Sequence, residues 1–580
     1  MHPHLQALID ALSRELRAQE EEHVQLRALP LPERAAAGFS LYPLEISATE
    51  HRSRGRVHVL LRGRDLGEAF SPGDPILLAP LGKPDEGIVG RIEGIDETVV
   101  ELRVEGAPEG SGPWVVSRRF DPALQKAQQE VLRRAEDRYK PLVNLLLGRE
   151  MPYKADPYDH PAFARLHPSQ RAAAALALGC TEIGLVHGPP GTGKTEVLVA
   201  ILAALRDLGE RPWALADSNA AVDHLAARAS AAGLNVVRLG VSARIGGPVK
   251  QLTLEHRILH GSRAGVIHRL MREATRADGD ELFAIRGAIR EEWSAAKREV
   301  LLSADVLAMT IGTLQTRGED LTPPRTAVLD EAGQIAEPAL WLVAQRVKRL
   351  ILTGDPHQLG PVIKGRDKTL ERSLLQRLVD EGFQFPMLTQ QRRMNTTLMA
   401  LCQPTYGGRL SAAPDVAEAA LALHSAWATP AARFIDTAGM GHDEEPDAVG
   451  SFANPGEVEL LARVWRDLKA AGLRPERVGV IAPYRAQVVA LRKALPELEV
   501  GTVNAFQGRE RDVILASFVR SNVDGTLGFV ADPRRLNVTL TRARLLFIGV
   551  GDSATLGGWA PFAAFLEAVG EGYTSGWDLA

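Results

Sequence analysis

The sequence of 580 residues is poor in cysteine and contains no long hydrophobic run. Its two cysteines, Cys180 and Cys402, cannot form a structural zinc site or a four-cysteine iron–sulfur cluster, and so small a number suits a reducing compartment. No apolar run approaches the roughly 20 residues that a helix needs to cross a bilayer. We therefore expect a cytoplasmic protein with no membrane partner.

The chain also has no large excess of either charge and no targeting signal at its start. It contains 68 basic and 72 acidic residues, which gives a formal net charge of −4. This balance neither supports nor excludes a nucleic-acid partner, because a groove for a polyanion needs positive charge only locally. The segment Met1–Leu5 has no basic region followed by an apolar block, so a secretory signal is not expected.

The first 149 residues show a helix–barrel–helix pattern. Apolar residues recur at helical spacing over 1–28, and a second helical stretch is predicted over 120–149. Between them, at 29–119, short β-rich runs separated by turn signals predict a small barrel. The two helices flank this barrel and are expected to pair as a stalk. The predicted strands are Phe39–Ile46, Val57–Leu61, Pro75–Pro80, Gly87–Ile92, Val99–Val104 and Trp114–Ser117.

From about residue 150, apolar runs alternate with helical patterns, which is typical of a parallel α/β sheet. We predict α/β lobes at 150–385 and 386–580, with a charged helical insertion at about 245–300 whose charges face solvent. The segment Gly439–Pro455 is interpreted as a loop. In the second lobe the predicted strands are Arg433–Ile435, Val478–Ile481, Val500–Val503, Val513–Ser517 and Leu545–Val550.

The most informative chemical signal is a Gly-rich loop that follows an apolar run and precedes a helical pattern. It fits G-x-x-x-x-G-K-[S/T], in which backbone N–H groups and a helix N-terminus converge on a polyanion. Lys194 is expected to reach the β- and γ-phosphates of ATP, and the Thr195 hydroxyl is expected to hold Mg²⁺. The loop consists of Gly188, Pro189, Pro190, Gly191, Thr192, Gly193, Lys194 and Thr195.

A second nucleotide signal is a pair of adjacent carboxylates, Asp330 and Glu331, after an apolar run that ends at Leu329. At the carboxyl end of a strand they would face the phosphate loop across the sheet edge. Asp330 is then expected to hold Mg²⁺ through water, and Glu331 is expected to polarise the water that attacks the γ-phosphate. The two signals together predict a Mg²⁺-dependent ATPase.

Further motifs resemble those of superfamily 1B helicases, in the branch that contains the nonsense-mediated-decay helicase, senataxin and the immunoglobulin mu-binding helicase. The similarity is greatest to the mu-binding helicase. It runs in family order from about 165 to 555, and the helix–barrel–helix arrangement before it also agrees. The resemblance implies two tandem RecA-like P-loop lobes. The motifs are Asp217–Asp223, Asp330–Gln334, Gly354–Pro361, Pro483–Gln487, Val503–Glu510 and Leu536–Arg544.

The resemblance implies roles for residues around the nucleotide. Gln170 matches a glutamine that reads the adenine edge, although a glutamine at a helix start is more often a cap or a surface residue. Gln358 matches the residue that links the γ-phosphate to the nucleic-acid site, and Glu510 matches a carboxylate that contacts the ribose. Arg393 and Arg542 match arginines that approach the γ-phosphate from the second lobe, where a guanidinium stabilises the charge of phosphoryl transfer.

At one position the sequence departs from the family pattern. The family usually has Gln-Tyr-Arg-Met, whereas this chain has Arg392 in place of the tyrosine, between Gln391 and Arg393. The tyrosine ring is expected to stack on adenine. Arg392 can take that place by stacking its guanidinium plane on the base.

The resemblance also places small polar groups along a single strand of nucleic acid that crosses both lobes, where they would hold phosphates. Tyr484 would stack on a base or pack against a sugar. Each residue also admits a purely structural role, such as a helix cap for Ser218 or core packing for Tyr484. The basic run His51–Arg56, with Arg62 and Arg64, is either a solvated hairpin tip or a duplex contact. The strand-contacting residues are Ser218, Asn219, Thr310, Pro483, Tyr484, Thr502 and Asn504.

These motifs predict a monomeric ATPase that moves along single-stranded DNA or RNA and unwinds tailed duplexes, with 5′→3′ polarity implied by the resemblance alone. The competing hypothesis is a non-processive ATP-dependent clamp that holds RNA or remodels a ribonucleoprotein, because motor and clamp share the ATPase core. A nuclease–helicase fusion is disfavoured, since no further domain is predicted after residue 570. The sequence does not decide between RNA and DNA as the substrate, because contacts to phosphates do not distinguish ribose from deoxyribose.

Overall fold

The computed structural model describes residues 1–51, 56–63, 66, 70, 73–95, 98–110, 112–137, 140–151, 154–240, 247–277, 279–318, 321–447 and 450–579. Within these ranges the chain forms a small barrel, helices that carry it and two α/β lobes. No helix in the same ranges is both long and apolar enough to cross a bilayer. Of the basic run near the barrel, Arg52, Arg54 and Arg64 lie outside the described residues.

The N-terminal helix α1 (Pro3–Ala28) is rooted in the first lobe. Leu5, Leu8 and Leu12 are buried in a core that they share with the first-lobe sheet. One turn later, Glu15 accepts a hydrogen bond from the backbone N–H of Gly365 at 2.7 Å. The helix stops because the following residue precedes a proline and takes an extended conformation. A short helix, α2 (Leu31–Ala36), follows.

A closed antiparallel barrel follows α2, as predicted. Its strands are β1 (Ser40–His51), β2 (Val57–Arg62), β3 (Pro75–Pro80), β4 (Ile88–Ile95), β5 (Val99–Val104) and β6 (Trp114–Arg118), in the order β1-β2-β5-β4-β3-β6. Inward residues alternate along β2, where Val57, Val59 and Leu61 are buried. The segment between α2 and β1 touches the second lobe, because Arg485 Nη2 donates to the Ala37 carbonyl at 3.3 Å.

The prediction of one continuous helix over 120–149 is wrong. The structure has two helices, α3 (Ala123–Arg133) and α4 (Pro141–Leu146). Pro141 starts α4 because a proline has no N–H to donate, and it forces the preceding Lys140 into an extended conformation. α3 packs beside α1, where Gln129 Nε2 donates to Ser13 Oγ at 2.8 Å.

The first lobe is a parallel sheet in the order β7-β12-β11-β8-β10-β9. Its strands are β7 (Ile183–His187), β8 (Trp213–Ala216), β9 (Val236–Arg238), β10 (Val306–Thr310), β11 (Thr326–Leu329) and β12 (Arg349–Gly354). Helices cover both faces, so every residue of β7, β11 and β12 is buried. The helices are α5 (Pro168–Gly179), α6 (Lys194–Asp207), α7 (Asn219–Ala231), α8 (Leu254–Leu259), α9 (Ala264–Ala274), α10 (Gly279–Ser303), α11 (Ile311–Arg317), α12 (Glu337–Ala344), α13 (Lys368–Glu371) and α14 (Leu374–Asp380).

The charged insertion is helical, and it consists of α8, α9 and α10. Its own small core contains Ile258, Ile267 and Ala296. Arg263 pairs with Glu292 and Glu299 across the helices, on an exposed surface where such ion pairs add little stability.

The second lobe is a parallel sheet in the order β19-β18-β20-β21-β15-β22. Its strands are β15 (Ala432–Asp436), β18 (Val478–Ala482), β19 (Glu499–Thr502), β20 (Arg511–Ser517), β21 (Ala543–Gly551) and β22 (Tyr573–Ser575). Its helices are α15 (Thr396–Cys402), α16 (Pro414–Ala417), α17 (Pro455–Ala470), α18 (Arg485–Ala494), α19 (Pro533–Leu540), α20 (Ser553–Leu556) and α21 (Ala560–Val569). The prediction of an α/β fold is confirmed.

Short pairings complete the second lobe. A parallel pair, β13 (Gln390–Gln391) and β14 (Ser411–Ala412), precedes the main sheet. The segment interpreted as a loop contains a small antiparallel pair, β16 (Glu445–Pro446) and β17 (Phe452–Ala453). The chain crosses between the lobes beside β7, where the backbone N–H of His187 donates to the Pro386 carbonyl at 2.9 Å.

Candidate functional site

The loop between β7 and α6 is shaped to receive phosphate. Gly191 and Gly193 have φ values of 71° and 80°, a left-handed conformation that glycine adopts without strain. A side chain at Gly188 would collide with Lys194, whose Nζ donates to the Gly188 carbonyl at 2.9 Å. Because α6 begins at Lys194, its unpaired backbone N–H groups are available to an anion at the loop.

Two carboxylates lie opposite this loop, at the end of β11. Asp330 is buried, accepts a hydrogen bond from Thr353 Oγ1 at 2.9 Å and lies 3.5 Å from the Thr195 hydroxyl. Burial, reinforced by the charge of Glu331, raises the pKa of Asp330. Glu331 itself has a φ of 53°, which is uncommon for glutamate, and its Oε1 lies 3.4 Å from Lys194 Nζ.

Arginines reach the same space from the second lobe. Arg393 follows β13, and its Nε donates to Glu510 at 2.6 Å. Arg542 follows α19, is almost fully buried, and donates through Nη2 to Gln358 Oε1 of the first lobe at 3.2 Å. Burial and the neighbouring charge of Arg393 lower the pKa of Arg542 to about 9, so this guanidinium is a cation at neutral pH.

These groups line one cavity of about 450 Å³ between the lobes, which we call the cleft. Its first-lobe wall includes Lys194, Asp330 and Glu331, and its second-lobe wall includes Arg393 and Arg542. A volume of this size is typical of small-ligand sites, and cations on opposite walls attract a polyanion between them. The cleft therefore suits a nucleoside triphosphate whose terminal phosphate contacts both lobes.

Comparisons with known proteins agree with this geometry. Families described as AAA domain match residues 165–285, 268–366 and 370–554. The DNA-binding protein SMUBP-2 of Mus musculus is 33% identical over 616 residues, which cover 97% of this chain and 61% of that protein. The Regulator of nonsense transcripts 1 homolog of Arabidopsis thaliana is 34% identical over 419 residues, which cover 68% of this chain and 33% of that protein. The chain belongs to the superfamily 1B helicases.

Within this helicase family the chain spans about half the length of the curated relatives that it matches. The ATP-dependent helicase NAM7 of Saccharomyces cerevisiae is 33% identical over 419 residues, which cover 68% of this chain and 42% of that protein. Among solved structures, that of Arterivirus nonstructural protein 10 (helicase) aligns with 91% of this chain and 83% of that chain, at a TM-score of 0.39 and 13% identity. The family assignment rests on the sequence relatives.

In this member of the family, Gln170 lies against the phosphate loop. Its Nε2 donates to the Thr192 carbonyl at 3.0 Å. Its Oε1 accepts from the backbone N–H of His167 at 2.9 Å and closes a capping box at the start of α5. Both ends of the amide thus have protein partners. The capping role is present in the structure, and the reading of adenine stays a prediction.

Arg392 and Glu510 lie at the second-lobe side of the cleft. The backbone N–H of Arg392 donates to the Gly191 carbonyl at 2.9 Å, which ties the two lobes together, and its guanidinium lies 3.3 Å from Asp415. Glu510 is the partner of Arg393, so the carboxylate that the resemblance assigns to the ribose neutralises an arginine in this arrangement. Adenine stacking and ribose contact stay predictions.

In the first lobe, the residues expected to contact nucleic acid lie at the carboxyl ends of β8 and β10. These strands are neighbours, with Ala216 opposite Thr310. Ser218 caps α7 and Thr310 caps α11, each through its side-chain oxygen. Asn219 Oδ1 accepts from Arg238 Nη2 at 2.8 Å. All three side chains therefore have a structural partner within the lobe.

The corresponding residues of the second lobe follow β18 and β19, which are also neighbours. Thr502 Oγ1 accepts a hydrogen bond from the backbone N–H of Ala505 at 3.3 Å. Asn504 Oδ1 accepts from Arg535 Nη1 at 3.1 Å. Pro483 follows the last residue of β18 and begins the turn into α18. Strand ends of both lobes thus carry small polar groups.

Tyr484 lies in the core rather than on an open surface. It is 8% exposed, and its ring contacts Phe452 and Phe529. Its hydroxyl lies 3.3 Å from Arg520 Nη1. Beside it, the exposed Phe529 ring stacks under the Arg535 guanidinium at 3.5 Å from the ring centroid. The geometry favours the packing role for Tyr484 and adds a neighbouring aromatic–arginine pair that the sequence did not indicate.

Sequence reasoning also missed three buried side chains that join the lobes behind the cleft. Tyr406 Oη donates to Asp355 Oδ2 at 2.7 Å, and Asn537 Nδ2 donates to Tyr406 Oη at 2.8 Å. Asp355 and Asn537 lie inside quoted motifs, but Tyr406 lies in a short 3-10 helix with no local signal. Only the tertiary fold brings these three side chains together.

Proposed function

We propose that this helicase couples Mg²⁺-dependent ATP hydrolysis, in a cleft between RecA-like lobes, to movement along single-stranded nucleic acid and unwinding of tailed duplexes. The observation that carries the proposal is that Lys194 and Glu331 of the first lobe share one cleft with Arg542 of the second. Because the water-activating group and the arginine belong to different lobes, hydrolysis depends on cleft closure. The names of relatives, DNA-binding protein and ATP-dependent helicase, support the same function.

The residues of the cleft support attack of a water on the γ-phosphate. Lys194 donates to the β- and γ-phosphates, and Glu331 accepts the proton of the attacking water. Gln334 Nε2 donates to Glu331 Oε2 at 2.9 Å, which fixes the carboxylate while Oε1 faces Lys194. As the bond to the leaving oxygen breaks, Arg393 and Arg542 stabilise the charge on the equatorial oxygens.

The residues beside the phosphate loop fit Mg²⁺. Mg²⁺ prefers oxygen ligands, and it commonly takes one or two carboxylates together with substrate phosphates. The Thr195 hydroxyl and the Asp330 carboxylate provide such oxygens 3.5 Å apart. A bound Mg²⁺ neutralises phosphate charge, and it also favours the ionised form of the buried Asp330.

The strand ends of both lobes support a path for single-stranded nucleic acid. Hydroxyls, amides and backbone N–H groups there hold phosphates without reading bases. Since the whole chain carries a formal charge of −4, attraction must come from local cations such as Arg535, which lies next to Asn504. Alternating grip by the lobes during cleft opening and closing converts hydrolysis into steps, in the 5′→3′ direction of this helicase branch.

We also propose that residues 1–149, which comprise the barrel at 29–119 and the helices α1, α3 and α4, tune unwinding rather than hydrolysis. The groups of the cleft all belong to the lobes at 150–385 and 386–580. Deletion of about 32–118 should therefore leave the ATPase and reduce strand displacement. Helices α1, α3 and α4 stay in this variant, because their apolar residues belong to the first-lobe core. Full unwinding by a folded deletion variant would assign the barrel another role.

The decisive experiment is ATPase activity with single-stranded DNA, with single-stranded RNA and with neither, followed by strand displacement on duplexes with a 5′ or a 3′ tail. We expect stimulation by single strands and displacement of the duplex with the 5′ tail. Stimulation without displacement of either duplex would favour the non-processive clamp. An ATPase rate that is the same with and without nucleic acid would contradict the proposed motor.

A further inference from the structure

A buried hydrogen-bond network joins the two lobes behind the cleft. The second lobe supplies the side chains of Tyr406 and Asn537 to this network. The first lobe supplies the Asp355 carboxylate and the His357 carbonyl. Asn537 Nδ2 donates both to Tyr406 Oη at 2.8 Å and to the His357 carbonyl at 2.9 Å. Asp355, Tyr406 and Asn537 are each at most 3% exposed, so water does not compete for these contacts.

Asp355 is the centre of this network. Its carboxylate accepts from His187 Nε2 at 3.1 Å, from the backbone N–H of His357 at 3.0 Å and from Gln358 Nε2 at 3.0 Å, in addition to Tyr406. Burial opposes ionisation, but the hydrogen bond and charge of His187 prevail and lower the pKa of Asp355 to about 2. The carboxylate is therefore charged throughout the physiological range, and each donor that leaves it must be replaced.

Gln358 is held from both lobes at once. Its Nε2 donates to Asp355 Oδ2, and its Oε1 accepts from Arg542 Nη2. Arg542 comes two residues after the end of α19, the helix that carries Asn537. One end of this helix thus contacts the loop after β12 at two points. The contact of Asn537 and Tyr406 with that loop fixes where Arg542 meets Gln358.

Gln358 Nε2 has two N–H groups, one of which donates to Asp355, while Oε1 accepts from Arg542, so a turn of this amide toward a phosphate breaks its contact with Asp355. Tyr406 Oη donates to the same Asp355 oxygen as Gln358 Nε2. When Gln358 turns to the phosphate, the tyrosine hydroxyl therefore still compensates the buried carboxylate. Without it, departure of Gln358 would leave that oxygen without either side-chain donor, which is costly inside a protein.

We propose that Tyr406 is a positioning residue, which allows Gln358 to exchange Asp355 for the γ-phosphate and so couples lobe closure to hydrolysis. This inference rests on the proposed ATPase function. A positioning role predicts a loss in turnover with little change in ATP affinity, because the phosphate loop and Lys194 lie outside the network. A merely structural role would instead lower thermal stability and leave the turnover of the folded protein unchanged.

The test is Tyr406→Phe in the full chain, which removes one hydroxyl and keeps the ring. We expect kcat with an oligothymidylate or oligouridylate to fall roughly 10- to 100-fold, and the KM for ATP to stay within about twofold. Tyr573→Phe is the matched control, because Tyr573 donates to the Asp436 carboxylate within the second lobe and takes no part in the network around Gln358. The control should retain full turnover.

Asn537→Ala provides a second variant, since it removes the other second-lobe donor and leaves the hydroxyl of Tyr406 in place; a smaller fall in kcat is expected. It carries the test if Tyr406→Phe does not fold. Full stimulated turnover in a folded Tyr406→Phe, or in Asn537→Ala if only that variant folds, would overturn the inference and leave the proposed function intact. No nucleic-acid-stimulated ATPase in the unmodified chain would overturn both.

Discussion

The cleft and the strand-end rim, by which we mean the ends of β8, β10, β18 and β19, use their polar residues differently. In the cleft, charged groups from separate elements of the fold converge on one cavity, as Lys194 Nζ does at 3.4 Å from Glu331 Oε1. At the rim, side chains already serve their own lobe, as Ser218 and Thr310 do by capping helices. The cleft is specialised for chemistry, whereas the rim combines binding with structure.

This difference decides how substitutions should be interpreted. A partly exposed side chain in the cleft, such as that of Glu331, can be changed with a large effect on rate and a small effect on folding. A side chain at the rim cannot be changed without also removing a cap or a hydrogen bond, so its effects on affinity and stability will occur together. The predictions below test this contrast, beginning with the largest expected effect.

Replacement of Arg542 by alanine should be the most damaging change in the cleft. An arginine that stabilises phosphoryl-transfer charge from another lobe is worth on the order of 10³–10⁵ in rate. We expect turnover to fall by about that factor and ATP affinity to fall much less, in steady-state kinetics and ATP binding measured side by side. Arg474→Ala, an exposed change in the same lobe, is the control. Lost ATP binding with unchanged turnover at saturation would make Arg542 a ground-state binding residue.

Replacement of Glu331 by glutamine should abolish most hydrolysis while ATP still binds. Loss of a positioned base costs about 10²–10⁴ in rate, and the amide preserves the shape of the side chain. Lys194→Ala is the companion variant, since it removes the phosphate contact itself and should reduce both binding and turnover. Equilibrium binding of ATP with Mg²⁺, compared with hydrolysis, separates the two. Near-normal turnover in Glu331→Gln would remove this residue from the role of base.

Added salt should weaken binding of single-stranded nucleic acid at the rim. Each phosphate contact contributes a slope of about −0.7 in log affinity against log salt concentration. Titrations of a fluorescent oligothymidylate at several salt concentrations measure this slope. An affinity that does not respond to salt would mean that the rim does not hold phosphates. The polar residues of the rim would then have a structural role without a binding role.

Ser218→Ala should give the smallest effect and the clearest view of the double role. Loss of an N-cap side chain costs about 1 kcal/mol of stability. We expect a lower melting temperature together with weaker strand binding, measured by thermal unfolding and by the same titration. Ser47→Ala, an exposed serine on the barrel, controls for the substitution itself. Weaker binding with an unchanged melting temperature would show that the rim is as specialised as the cleft.

Local patterns were sufficient to predict the barrel strands, the α/β lobes and the positions of Lys194 and Asp330. Each of these depends on residues close together in the chain, where periodicity and turn residues encode structure directly. The break before α4 was missed, although Pro141 carries a local signal for it. β22 was missed because Tyr573–Ser575 is short and polar and becomes a strand only by pairing with β15.

The partnerships of side chains across long sequence distances were not predictable. Arg393 and Glu510 are 117 residues apart, and Asp355 and Tyr406 are 51 apart. A carboxylate gives no local indication of which distant donor will reach it, because the lobes must first fold and dock. The family motifs located the positions around the nucleotide, but they did not say that Gln170 closes a capping box.

Helix α1 also has a mechanical consequence. With 26 residues it is about 39 Å long, and its first half is fixed in the core of the first lobe. The half beyond this core is roughly 20 Å long, so its far end moves by about 3.4 Å for each 10° that its root turns, as follows from the roughly 1.5 Å rise per residue. Because the segment between α2 and the barrel touches the second lobe at Ala37, a small rotation between the lobes becomes a displacement comparable with the spacing of bases in a stacked strand.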